Sequence, residues 1–126
     1  MSHPVSILII DDDKDLRYFL GQILILYGFT VMEAEHGQDA LDILEKSTPS
    51  ILLIDLDMPV MSGKELILHL VNRPEASLRW GEIPRIAYSA RLDLYPEIHS
   101  LVHAMFEKPV PADEIVQTVK QLLKLR

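Results

Sequence analysis

The chain has 126 residues, of which 48% are hydrophobic and 25% are charged, a composition typical of one globular domain. It contains no cysteine, which excludes disulfides and thiolate metal sites, and its net charge of −7 disfavours binding to DNA or RNA. No apolar run approaches the ~20 residues of a membrane span and no signal peptide is recognisable, so we expect no membrane association and a cytoplasmic location.

The hydrophobic pattern alternates between strand-like and helix-like segments along the chain. Short apolar runs predict five β-strands, at Val5–Ile10, Thr30–Ala34, Ile51–Ile54, Arg85–Tyr88 and Met105–Glu107. Apolar spacings of three and four predict helices from Asp12 or Asp13 to Tyr27, and at Gly37–Leu44, Lys64–Val71, Tyr95–Val102 and Pro111–Leu123. The segment Asn72–Ile83 is interpreted as a polar connection.

This alternation predicts a doubly wound α/β fold, a flavodoxin-like (βα)5 unit with one parallel five-stranded sheet. Ile51–Ile54 is the most uniformly apolar strand, so we expect it at the centre, covered on both faces. The strand order 2-1-3-4-5 would place strands one and three on either side of the switch point. Ligands of such sheets bind there, outside the carboxyl ends of the strands.

Acidic residues follow two of these strands. Asp11 and Asp12 come directly after strand one, and Asp55 comes after strand three. Parallel strands that end together would bring these carboxylates to one place, where they repel unless a cation or a proton holds them. Mg²⁺ prefers such oxygen ligands, and Lys108 after strand five could add one positive charge. The pattern indicates a site that handles phosphate on a carboxylate.

Each residue also has an ordinary structural explanation. Asp11, Asp12 and Asp13 could form only a helix cap, because aspartate favours that position. Ser89 alone is typical of a cap or turn, and Lys108 alone of a solvated surface. Beside Asp55, the functional interpretation of the acidic residues is favoured. The histidines show no metal-ligand spacing and are interpreted as surface residues: His3, His36, His69, His99 and His103.

Five motifs in chain order resemble the receiver domain of two-component response regulators, the CheY-like superfamily. The matching residues are Asp11-Asp12, Asp55-Leu56-Asp57-Met58-Pro59, Gly63, Ser89-Ala90 and Lys108-Pro109. One motif alone is weak, whereas five in order at near-family spacing are specific. We therefore expect a single receiver domain over residues 1–126, with a core of about residues 5–123 and no output domain.

The resemblance implies that Asp55 is the phosphoacceptor. It would take a phosphoryl group from a phosphohistidine on a sensor histidine kinase or a histidine phosphotransfer protein. Asp12, Asp55 and the backbone carbonyl of Asp57 would ligate Mg²⁺ (or Mn²⁺) directly, and Asp11 would act through metal-bound water. The domain would catalyse only its own phosphotransfer and dephosphorylation, so it is expected to be a signalling domain and not an enzyme.

The resemblance also assigns the residues that would hold the phosphoryl oxygens. Lys108 would pair with one oxygen, and Ser89 and Ala90 would bind another. Phosphoryl transfer places charge on these oxygens, so catalysis is mostly positioning and electrostatic stabilisation. Asp57 and Arg91 occupy positions that tune loss of the phosphoryl group in this family.

The chain departs from the family pattern between Ser89 and Lys108. That interval is a few residues short, so the predicted helix Tyr95–Val102 should be short, displaced or loosely ordered. The switch position, often Tyr or Phe in the family, is Met105. Phe106 follows it, but adjacent strand residues face opposite sides of a sheet, so Phe106 cannot simply substitute.

Signalling would be a population shift in the face formed by the predicted helix Tyr95–Val102, strand five and the last helix. This face would contact a downstream target, an output domain or a second copy in a homodimer. Two alternatives stay open. The chain could be a degenerate receiver that acts only as an interaction module. It could also be a small phosphatase resembling haloacid dehalogenases, with Asp55 as nucleophile and Asp57 as acid.

Overall fold

A single sheet of five parallel strands forms the centre of the computed structural model, which describes residues 5–59, 61–72 and 78–125. The strands are β1 (Ser6–Ile10), β2 (Thr30–Ala34), β3 (Ile51–Asp55), β4 (Arg85–Ser89) and β5 (Ala104–Glu107). Their order in the sheet is β2-β1-β3-β4-β5, and every neighbouring pair is parallel. The predicted flavodoxin-like fold and strand order are therefore confirmed.

In the part of the chain that the structure describes, five α-helices accompany these strands: α1 (Lys14–Leu26), α2 (Gly37–Lys46), α3 (Gly63–Val71), α4 (Leu78–Glu82) and α5 (Ala112–Leu122). The first four lie between strands, and α5 follows β5. The sequence left the start of α1 open between two residues, and the structure assigns it to Asp13, whose side chain accepts hydrogen bonds from two backbone N–H groups of the first turn. Within the described ranges, no helix is long and apolar enough to cross a membrane.

The segment between β4 and β5 specifies the kind of helix that the sequence left open. The sequence indicated a helix at Tyr95–Val102 that should be short, displaced or loosely ordered, and the chain forms two 3-10 turns, Leu92–Leu94 and Pro96–Leu101. A 3-10 helix rises about 2.0 Å per residue against 1.5 Å in an α-helix, so it spans more distance with fewer residues. The shortened interval before Lys108 therefore favours the tighter helix.

The connection Asn72–Ile83 was also interpreted incompletely. Residues 73–77 lie outside the described ranges, but the second half of the connection contains the short helix α4. Trp80 within that helix is only 4% exposed and packs in the same core cluster as Ile83. Burial of this large aromatic side chain fixes the helix against the domain. The polar residues around Trp80 in the sequence gave no sign of that burial.

Helices cover both faces of the sheet, and alternate strand residues point into two separate cores. One core, with α2 and α3, contains Leu8, Ile10, Leu52, Ile54 and Ala87. The other, with α1 and α5, contains Ile7, Ile9, Leu53, Ile86 and Tyr88. Met105 packs against the first core and Phe106 against the second, as the alternation of strand side chains predicted.

Gly63 allows α3 to begin directly against the end of β3. A Cβ atom at this position would lie 2.3 Å from the carbonyl oxygen of Asp55 and 2.7 Å from Cα of Leu56. Both neighbours are backbone atoms of a buried segment, which cannot move aside easily. The absence of a side chain at Gly63 therefore fixes the position of α3 beside the carboxyl end of the central strand.

We expect Gly63→Ala to lower the free energy of unfolding by about 1–3 kcal/mol, because the added methyl group overpacks this contact. Gly21→Ala is the matched control, since a Cβ there would lie 3.6 Å from the nearest atom and alanine favours a helix. Urea unfolding of both variants measures the difference. Equal stability of Gly63→Ala and the wild type would contradict the close contact.

Candidate functional site

The carboxyl ends of four strands bring the predicted site residues together. Asp11 follows β1 and Lys108 follows β5, while Asp55 and Ser89 are the last residues of β3 and β4. Ladder contacts hold these ends in register: Asp55 is the sheet partner of Tyr88, and the N–H of Lys108 donates to the carbonyl of Ser89 at 2.9 Å. The expected convergence at the switch point is therefore observed.

Three carboxylates form a compact acidic cluster at this edge. Asp11, Asp12 and Asp55 each offer one oxygen, and these oxygens all lie within 4.8 Å of one another. Asp11 and Asp55 are buried, whereas Asp12 is exposed. Carboxylate oxygens in such a group are the ligands that hard divalent cations take. The donor set therefore fits a divalent metal ion.

Asp11 is held in a fixed orientation by donors on two sides. Its Oδ1 accepts a hydrogen bond from the backbone N–H of Asp13 at 2.8 Å, and the hydroxyl of Tyr88 donates a short hydrogen bond to Oδ2. Tyr88 is fully buried, and burial followed by the negative charge of Asp11 raises its pKa well above the ordinary value. Tyr88 therefore stays protonated as a donor.

Lys108 is the cation of the site. Its Nζ lies 3.2 Å from Oδ1 of Asp55 and 3.4 Å from Oδ2 of Asp57, and 5.8 Å from the centre of the Tyr88 ring. Burial alone would lower the pKa of Lys108, but the charges of Asp55 and Asp57 raise it above its ordinary value. The ammonium group therefore stays charged and bridges two carboxylates.

The side chain of Asp57 contacts Ser89 and Ala90, which the resemblance assigned to the phosphoryl oxygens. It accepts hydrogen bonds from the hydroxyl of Ser89 at 2.6 Å and from the N–H of Ala90 at 2.8 Å. The hydroxyl of Tyr95 approaches the same carboxylate at 3.2 Å. Burial acts to raise the pKa of Asp57, but the bonds from Ser89 and Ala90 outweigh it and the pKa is lowered.

Sequence reasoning did not select Tyr88 or Tyr95, two tyrosines that contact carboxylates of the site. The signal for Tyr88 was its position directly before Ser89 in the matched motif. Arg91, predicted as a tuning residue, forms a two-fold hydrogen-bonded pair with Asp93 at 2.7 and 2.9 Å, and both side chains are 63% exposed. Its backbone N–H donates to Oγ of Ser89 at 2.9 Å.

Asp55 is a buried carboxylate whose hydrogen bond and ion pair do not offset the effect of its burial. Burial raises its pKa from 3.8 to about 7, and the negative charge of Asp11 adds to this rise. The N–H of Asp57, at 2.9 Å from Oδ1, and the charge of Lys108 act in the opposite direction but do not cancel it. The carboxylate at the centre of the site therefore binds a proton or a cation near neutral pH.

Comparison with known proteins decides the family. The model of the response regulator receiver domain matches residues 7–120 of this chain. The chain belongs to the response regulator receiver domain family. Receiver domains are signalling domains, so this assignment decides against the haloacid dehalogenase alternative.

Individual relatives agree with the family. Sporulation initiation phosphotransferase F of Bacillus subtilis (strain 168) is 33% identical over 127 residues, which cover 96% of this receiver domain and 95% of the relative. The DNA-binding transcriptional regulator NtrC of Escherichia coli (strain K12) is 30% identical, and the match covers 91% of this chain but 24% of NtrC. The matched region is therefore nearly the whole of one relative and about a quarter of the other.

Solved structures agree with the fold. A CheY-like response regulator receiver domain protein from Methanospirillum hungatei JF-1 superposes with a TM-score of 0.82 at 28% identity. The superposition covers 97% of this chain and 95% of that protein. The receiver fold is therefore present over nearly the whole chain.

The raised pKa of Asp55 predicts the pH dependence of stability in the absence of divalent ions. Between 3.8 and about 7 the native state holds a proton that the unfolded chain releases. The stabilisation is therefore complete at low pH and lost as the pH rises through about 7. Urea unfolding at several pH values, with Asp55→Asn subtracted, measures this contribution. A difference between wild type and variant that is constant over this range would contradict the raised pKa.

Proposed function

We propose that this receiver domain takes a phosphoryl group onto Asp55 in a Mg²⁺-dependent reaction and transmits the change through its surface. The donor would be a phosphohistidine on a sensor histidine kinase or a histidine phosphotransfer protein. One observation carries the proposal: the buried carboxylate of Asp55 lies 3.2 Å from Nζ of Lys108 and within the compact acidic cluster. A nucleophile, a cation and a metal-binding group therefore occupy one small space.

Mg²⁺ would be held directly by oxygens of Asp12 and Asp55 and by the backbone carbonyl of Asp57, and Asp11 would add an oxygen through metal-bound water. When bound, the ion would supply positive charge to the carboxylates and to the oxygens of the transferred group. The fixed orientation of Asp11, set by Asp13 and Tyr88, prepares one of these oxygens before the ion arrives. Without such charge, the incoming phosphate would meet a surplus of negative groups.

The transfer itself needs little covalent chemistry from the protein. An oxygen of Asp55 attacks phosphorus, the new O–P bond forms, and the P–N bond of the phosphohistidine breaks with its electron pair returning to the imidazole. Lys108 balances negative charge on the phosphoryl oxygens, and Ser89 and Ala90 donate hydrogen bonds to them. The result is an acyl phosphate on Asp55 and a free histidine on the donor.

The output would be a change in the face that contains the turn Pro96–Leu101, β5 and α5. Ser89 and Lys108 lie where β4 and β5 end, at the base of this face. A downstream protein, an output domain or a second copy of the chain would bind the altered face. Met105 occupies the switch position, so any rearrangement there involves a flexible aliphatic side chain and not an aromatic ring.

Phosphorylation can be tested with small donors. Incubation with Mg²⁺ and acetyl phosphate or phosphoramidate should add one phosphoryl group, seen as a gain in intact mass. Asp55→Asn should abolish the gain because it removes the nucleophilic carboxylate, and omission of Mg²⁺ should abolish it because the charges are then uncompensated. Asp113→Asn, an exposed residue in the first turn of α5, is the control and should behave like the wild type.

A folded wild-type protein that gains no mass from a competent donor would contradict the proposal. That outcome would favour the degenerate receiver that acts as an interaction module. Labelling that persists in Asp55→Asn would also contradict it, because the phosphoacceptor would then be a different residue.

A further inference from the structure

The carboxylate of Asp57 is surrounded by the groups that the phosphoryl oxygens would need. Its Oδ1 accepts from the hydroxyl of Ser89 at 2.6 Å, and its Oδ2 accepts from the N–H of Ala90 at 2.8 Å. Nζ of Lys108 lies 3.4 Å from the same Oδ2. All three phosphoryl-binding donors implied by the sequence thus point at one side chain, which is an anion two residues from Asp55.

These donors cannot serve Asp57 and a phosphoryl group fully at the same time. Ser89 has one hydroxyl proton and Ala90 has one N–H proton, and each donates one full hydrogen bond. Only Lys108, with three protons on a flexible stem, can bridge two anions, as it already does between Asp55 and Asp57. An incoming phosphoryl group must therefore displace the carboxylate of Asp57.

We propose that the Asp57 carboxylate occupies the phosphoryl-oxygen subsite of the resting receiver as an internal competitor. This inference rests on the proposed phosphorylation of Asp55 and adds its regulation. The carboxylate oxygens of Asp57 accept the hydrogen bonds of Ser89 and Ala90 as long as no phosphoryl group is present. The carboxylate also places a negative charge where the negatively charged phosphoryl group must enter, which slows phosphorylation.

Tyr95 adds a further contact to the carboxylate of Asp57. Its hydroxyl lies 3.2 Å from Oδ1 of Asp57 and 3.0 Å from the carbonyl oxygen of Leu56. The segment that carries Tyr95 is anchored by fully buried Ile98 and by an ion pair between Lys64 and Glu97. This one O–H is shared between the two acceptors, so Tyr95 helps to position Asp57 and would donate to Leu56 alone when that carboxylate leaves.

The inference is tested by the rate of phosphorylation from phosphoramidate with saturating Mg²⁺. Asp57→Asn removes the charge and keeps the side-chain size and the backbone carbonyl, while Asp57→Ala removes the occupant. Both should react on the order of tenfold faster than the wild type, because the like charge is gone from both variants and the competing acceptor is also gone from Asp57→Ala. Asp93→Asn, which removes one charge from an exposed pair with Arg91, should react at the wild-type rate.

Binding of beryllium fluoride, a phosphoryl mimic, supplies a second readout. Titration followed by ¹⁹F NMR should show tighter binding to Asp57→Asn and Asp57→Ala than to the wild type, by about the same factor as the rates. The Ala90 amide signal should also shift in Asp57→Asn before any mimic is added, because its carboxylate acceptor is gone. An unmoved Ala90 signal would place that N–H elsewhere and overturn the inference.

A double-mutant cycle separates positioning by Tyr95 from a merely structural role. Tyr95→Phe should accelerate phosphorylation by less than Asp57→Asn, and the double variant should match Asp57→Asn alone. Tyr18→Phe, which removes a hydroxyl from an exposed residue of α1, is the control. Additive effects of the two substitutions would show that Tyr95 does not act through Asp57.

The outcomes distinguish this inference from the proposed function. Equal phosphorylation rates of the wild type and both Asp57 variants overturn the inference that Asp57 competes and leave the proposed phosphorylation of Asp55 intact. Labelling of the wild type that is slower than labelling of both Asp57 variants supports both. Failure of every protein to label, at the level of Asp55→Asn, overturns the proposed function and the inference together.

Discussion

The carboxylate of Asp55 lies buried at the end of the central strand, where Lys108 and the backbone N–H of Asp57 are its partners among the described residues. A buried charge is costly unless it is paired and hydrogen-bonded, so this position constrains everything around it. Gly63 brings α3 against the backbone of the same residue, and Lys108 reaches it from beyond β5. The elements that surround the end of β3 therefore place one buried carboxylate between a lysine and two further aspartates.

The other acidic residues of the site have different surroundings. Asp11 has two donors, from Asp13 and Tyr88, and Asp57 has three hydrogen-bond donors in addition to the contact with Lys108. Asp13 caps α1, which leaves exposed Asp12 for the cluster. This division of roles explains how one lysine coexists with several carboxylates. Burial raises the pKa of Asp55, whereas the hydrogen bonds from Ser89 and Ala90 outweigh the smaller burial of Asp57 and lower its pKa.

The sequence was sufficient for the strand order and the place of the site, because apolar runs mark the strands and parallel strands end at one edge. It was not sufficient for Tyr88 or Tyr95. Each reaches its carboxylate across the sheet or from a neighbouring segment, and only tertiary packing decides such a contact. The side chain of Asp57 was missed for the same reason, since the resemblance assigned it a backbone role and a tuning position. The helices differed where buried Trp80 and the short interval before Lys108 override local propensity.

We expect the acidic cluster around Asp55 to bind a divalent cation. The most direct test is the free energy of unfolding in urea as Mg²⁺ is added at about pH 8, where Asp55 is ionised. The free energy of unfolding should rise with the logarithm of the Mg²⁺ concentration above the dissociation constant, and more strongly than in sodium chloride of equal ionic strength. Asp55→Asn should remove most of this rise. Equal stability in the two salts would contradict it.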